Sequence, residues 1–91
     1  MDPRKAIDAA ALLERVANGE MEASTALNAW PQDAGRDELL DASWHDLSHF
    51  AVDVDIRTKD PRYATYQVSL LLNRAKQIRE KYDIGDGTRF I

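Results

Sequence analysis

A chain of 91 residues with no cysteine, 44% hydrophobic residues and a net charge of −4 has room for one domain with a thin core. The missing cysteines exclude a disulfide scaffold, thiolate metal sites and thiol catalysis. The acidic balance argues against a nucleic-acid binder, whose phosphate contacts need a basic surface, and no apolar run approaches the ~18 residues of a membrane span.

The first helix is expected over 3–17. Asp2-Pro3-Arg4 is a start signal: Asp caps free N–H groups, and Pro at the first helical position gives up an N–H that has no partner anyway. Ala6, Ala9, Ala10, Leu13, Val16 and Ala17 then share one face, and Asn18-Gly19 is a stop. A short second helix over 22–29 carries Ala23, Ala26, Leu27 and Trp30, and Pro31 ends it. Gln32 to Arg36 reads as a polar turn.

The third helix is expected over 37–57, with a seam of Leu40, Trp44, Leu47, Ala51 and Val54 and with Asp37, Glu38 and Asp41 in its favourable first turn. Thr58-Lys59 reads as a tight connector. The fourth helix, 61–82, opens on Asp60-Pro61-Arg62 and has a seam of Ala64, Val68, Leu71, Ala75, Ile78 and Tyr82. Nothing reads as strand. The expected architecture is all-α: a small antiparallel bundle of four helices, one domain over 1–82, with a loose tail over 83–91. Met1 to Ile7 lacks the apolar core of a signal peptide, so a soluble cytoplasmic protein is expected.

Charge is unevenly spread. Asp33 to Asp60 holds eight acids and three bases, and Pro61 to Tyr82 holds five bases and one acid. Two readings follow: the two helices neutralise each other inside the fold, or the acidic one faces a basic partner.

Three features could carry chemistry. His45, His49 and Asp53 are spaced one turn apart and form a partial zinc or iron set, on the side of the third helix away from its seam. A solvated polar stripe is the plainer reading. The histidine phosphotransfer pattern fails, because neither Lys nor Gly follows His49 closely. Asp53-Val54-Asp55-Ile56-Arg57, continuing to Asp60, alternates acids but lacks the Gly and distal Glu of a calcium loop. Acids there oppose a helix C-terminus, a broken local rule that points weakly to function. Tyr63, Tyr66 and Leu70 lie off the fourth-helix seam, with Leu72 on the other flank, and form apolar surface suited to a wide buried arc or to an interface. Ser43, Ser48 and Ser69 lack any nucleophile-elbow context, so no catalytic residue and no cofactor is assigned.

The step Ala17-Asn18-Gly19-Glu20 followed by Leu27 and Trp30, the acidic stretch Asp53 to Asp60 and the closing helix resemble small bacterial immunity proteins of the colicin type. That resemblance implies a four-helix protein that neutralises a toxin nuclease with an acidic face. The chain departs from the family at the third helix, where the family has a short Tyr-Tyr-Pro segment and this chain runs from Trp44 to Arg57. Leu47-Ser48-His49-Phe50 with Asp53, Asp55, Ile56 and Arg57 also resembles small bacterial helical proteins that bring no function with them.

The expected function is a non-enzymatic protein-interaction domain, immunity-like, with Asp53, Asp55, Arg57, Asp60, Tyr63, Tyr66 and Leu70 facing a protein partner. The alternatives are a metal-binding bundle built on His45, His49 and Asp53, and a homodimeric structural protein. No nucleic acid, membrane or small-molecule substrate is expected.

Overall fold

Helix α1 (Pro3–Ala17) opens as its Asp-Pro start predicts. The Asp2 carboxylate accepts the Arg4 N–H at 3.0 Å, and the helix closes at Asn18 with Gly19 at φ 76°. That left-handed conformation suits glycine, which has no Cβ to clash. In this computed structural model, which describes residues 2–82, α1 is followed by α2 (Ala23–Ala29), a 3₁₀ turn (Ala34–Arg36), α3 (Glu38–Val52), α4 (Val54–Lys59) and α5 (Pro61–Lys81). The described residues contain no strand. The expected loose tail, 83–91, lies outside them.

Alanine makes the core possible. Ala6, Ala9, Ala10 and Leu13 of α1 are fully buried, as are Ala75 and Ile78 of α5, which α1 chiefly packs against. Side chains this small let two helix backbones approach closely, and dispersion contacts then replace bulk. Leu40, Leu47 and Leu71 complete the cluster, and Ala23, Ala26 and Trp30 bring in α2.

Helices α3 and α5 run antiparallel. Asp37 pairs with Lys81, Asp46 with Arg74 and Asp53 with Gln67, so partners descend along α5 as they climb α3. Asp37 is the best-used of these residues. Its Oδ1 caps α3 by accepting the Leu39 and Leu40 N–H groups at 2.8 and 3.1 Å. Its Oδ2 accepts Lys81 Nζ at 2.8 Å and the Tyr82 hydroxyl. One carboxylate thus starts α3 and holds the end of α5.

Several sequence expectations are corrected. The third helix does not run unbroken over 37–57; it ends at Val52, and α4 begins at Val54. Among the described residues the α-helix count is therefore five. Thr58 and Lys59 are the last residues of α4 rather than a connector. The α3 seam is rotated: Leu40, Ser43 and Leu47 are buried, whereas Trp44 is 39% exposed and Val54 is exposed. Ser43 fits because it is small and its hydroxyl donates to the Leu39 carbonyl at 2.7 Å. On α5, Gln67 takes a core position beside Leu71, Ala75 and Ile78, while Ala64 and Val68 are only half-buried.

Burial pushes the Asp37 carboxyl up, but the Lys81 ammonium and the Leu40 and Leu39 N–H groups outweigh it, and its pKa lies below the ordinary carboxylate value. The Arg79 hydrogen bond holds Glu14 down in the same way. Groups lowered by folding contribute stability above the unfolded pKa, about 4, and lose it as pH falls through the folded value. The urea midpoint should therefore fall as the pH drops below about 4, and less steeply in Asp37→Asn, which keeps a capping oxygen but loses the charge. Asp37→Ala, which loses the cap as well, should melt lower than Asp37→Asn at pH 7, with a cap loss of about 1 kcal/mol.

Candidate interaction surface

The residues nominated from the sequence cluster where α3, α4 and α5 meet. Val52 to Ile56 alternates β-branched residues with aspartates, which are poor helix formers. The chain breaks there, at Asp53 (φ −93°, ψ 23°). In an uninterrupted helix the Phe50 carbonyl would accept the Val54 N–H. Here it accepts from the Arg57 guanidinium, which also lies 3.6 Å over the Phe50 ring. The same Nη1 donates to Gln67 Oε1 at 2.8 Å.

Gln67 is 5% exposed, and its amide is used at both ends. Its Nε2 donates to Asp53 Oδ2 at 3.1 Å and approaches the Tyr63 oxygen at 3.2 Å. The Tyr63 hydroxyl in turn donates to Asp53 Oδ2 at 2.7 Å. Phe50, Asp53, Arg57, Tyr63 and Gln67 thus form one hydrogen-bonded kernel across three helices. That hydrogen bond to Asp53 raises the Tyr63 pKa above its ordinary value, because ionising the phenol would set two anions side by side.

Of the seven partner-binding candidates, Asp53, Arg57 and Tyr63 are joined in the kernel. Asp60 is exposed and caps α5, its Oδ1 accepting the Arg62 and Tyr63 N–H groups at 3.0 and 3.3 Å. Asp55 is exposed in the first turn of α4. The helix break therefore moves it from a helix C-terminus, where the sequence set it against the dipole, to an N-terminus, where the dipole favours it. Tyr66 is 59% exposed with its ring centroid 6.2 Å from that of Tyr63, and Leu70 is half-buried. Val52 at 75%, Val54 and Ile56 add exposed apolar side chains at the same junction. Gln67 was missed by sequence reasoning, although its spacing to Leu71, Ala75 and Ile78 marks it as a core position.

The His45–His49–Asp53 stripe does not become a ligand set. His45 and His49 are exposed, His45 lies 3.7 Å from Asp41, and Asp53 turns to Tyr63 and Gln67. Among the described residues no group of three His, Asp or Glu side chains is placed to hold an ion. The basic end of α5 is met inside the fold. Arg74 Nε donates to Asp46 at 2.6 Å, Arg79 grips both Glu14 oxygens at 2.8 and 2.7 Å, and Lys81 meets Asp37. No described helix is long and apolar enough to cross a membrane.

No protein-family model matches the chain, and neither a curated protein nor a solved structure matches it.

Arg57→Met keeps the aliphatic stem but leaves the Phe50 carbonyl and Gln67 Oε1 without their donor. A loss of about 1–3 kcal/mol is expected from the urea midpoint. A group whose pKa folding raises contributes stability that is present below the unfolded value, about 10, and lost as pH rises through the folded one. Tyr63 should accordingly ionise above the ordinary tyrosine value in an absorbance titration, and Asp53→Asn should move that part of the titration to lower pH.

Proposed function

We propose that this chain is a non-enzymatic protein-interaction domain whose contact surface is the α3–α4–α5 junction. The observation that carries the proposal is the exposure of Val52, Val54, Ile56 and Tyr66 around a junction tied by the Arg57–Gln67–Asp53–Tyr63 kernel. Apolar and aromatic side chains on a pre-ordered support are what association rewards, because little ordering cost remains. Asp55 supplies an exposed acid at the same junction, in keeping with an immunity-like role toward a basic partner. Asp53 and Asp60 are committed to the kernel and to the α5 cap, so the acidic contribution narrows to Asp55. The frame reads as an antiparallel four-helix bundle of α1, α2, α3 and α5, with α4 as the added turn that carries the contact residues.

Affinity capture from the source cell tests this. Tyr66→Ala and Ile56→Asp, both exposed and outside the kernel, should each reduce partner recovery at least tenfold while the helical circular dichroism stays unchanged. Asp55→Lys should reduce recovery of a basic partner. Undiminished recovery with Tyr66→Ala and Ile56→Asp together would overturn the junction as the contact surface. If the recovered partner is a second copy of this chain, sedimentation of the purified protein at micromolar concentration will show a dimer, and the same two variants should return it to monomer.

A further inference from the structure

A second feature lies at the other end of α3 from this junction. The chain has two tryptophans, and both line one open cleft of about 320 Å³ between the end of α2 and the first half of α3. Leu27, Trp30 and Pro31 form one wall, and Asp41 and Trp44 face them from α3, with Gln32 at the rim. Asp41 and Trp44 are three residues apart on a helix, so carboxylate and indole project from the same face. The Asp41 side chain is 51% exposed, and Trp44 is the large hydrophobic residue that α3 leaves open on this side. Trp44 is nine residues from Asp53, about 14 Å of helix rise, so the cleft is separate from the kernel.

We propose that this cleft binds an organic cation of the quaternary-ammonium type. The half-open Trp44 indole and the Asp41 carboxylate, with the mostly buried Trp30 beside them and aliphatic walls around, attract a cation by ring quadrupole and by charge. The walls also say which cation. A primary ammonium brings three N–H donors and a tightly held hydration shell, and the cleft offers only the Asp41 carboxylate and the Gln32 amide as side-chain acceptors. A tetraalkylammonium carries no N–H donor, is weakly hydrated and presents methyl groups to Leu27 and Pro31. The Trp30 indole N–H is closed to solvent and has no partner among the described residues, so Trp30 stands at the cleft as a wall. His45 stands beside this carboxylate, 3.7 Å from Asp41, with its ring edge-on to Trp44 at 5.2 Å.

The two tryptophans make their own reporter. The full chain is titrated at constant ionic strength and pH 8 with choline, with 3,3-dimethylbutanol as its uncharged carbon isostere and with methylammonium, while tryptophan fluorescence is followed. Choline should give a saturable change in the millimolar range, at least tenfold tighter than either comparison ligand. Asp41→Asn should weaken it several-fold, and Trp44→Leu, read through Trp30, at least tenfold. Indole N–H resonances of the unmutated chain provide a second measurement should Trp44→Leu unfold: choline must shift them saturably. A response to choline no tighter than to the uncharged isostere, tighter binding of methylammonium, undiminished binding by Asp41→Asn, or unmoved indole resonances would each overturn the proposal.

Discussion

A core built from alanines and a few leucines packs helices closely but does little to stop one sliding along another, because its surface is smooth at the scale of a helical turn. The lengthwise position of α5 against α3 is therefore set by polar side chains. Asp37 holds Lys81 and Tyr82 at one end, Asp46 holds Arg74 in the middle, and Asp53 holds Gln67 and Tyr63 at the other. These rungs do not supply most of the stability, since partly exposed ion pairs contribute little. What they supply is register. Sliding by one turn would separate every rung at once and leave the mostly buried Gln67 amide unpaired.

The rung at Asp53 also shapes the chain. The Asp53 carboxylate turns to Tyr63 and Gln67, and the Phe50 carbonyl takes the Arg57 guanidinium, where the helix breaks at residue 53. After the break six residues form α4, which buries none of its own side chains and leaves Val54 and Ile56 exposed. Polar pairing inside the junction and apolar exposure outside it thus share one cause. The same commitment ties the half-buried Asp53, Arg57 and Tyr63 into the kernel and leaves Val52, Ile56 and Tyr66 as exposed side chains around it.

Charge tells a parallel story. The contrast between an acidic third segment and a basic closing helix is visible in the sequence, and much of it is spent on internal pairs: Arg74 with Asp46, Arg79 with Glu14, Lys81 with Asp37. Composition could not distinguish this from an acidic face awaiting a partner, because pairing depends on which helix lies beside which. Gln67 was hidden for a related reason. Its spacing to Leu71, Ala75 and Ile78 is as regular as that of Ala64 and Val68, and chemistry decided for the apolar alternative. Only a partner for each end of its amide, ten residues back at Arg57 and fourteen back at Asp53, makes its burial tolerable.

Features that depend on a few consecutive residues were legible from the sequence. These are the all-helical class, the Asp-Pro starts of α1 and α5, the Gly19 stop and the buried alanine face of α1. Capping and helical spacing act within one or two turns and need nothing from the rest of the chain. Tertiary structure alone decided the break at Asp53, the outward place of Trp44, the inward place of Gln67 and the pairing of the basic helix. The break, the place of Gln67 and the ion pairs involve groups seven to sixty-five residues apart, and competition among those groups for the same carboxylates and carbonyls settles only when the helices have docked.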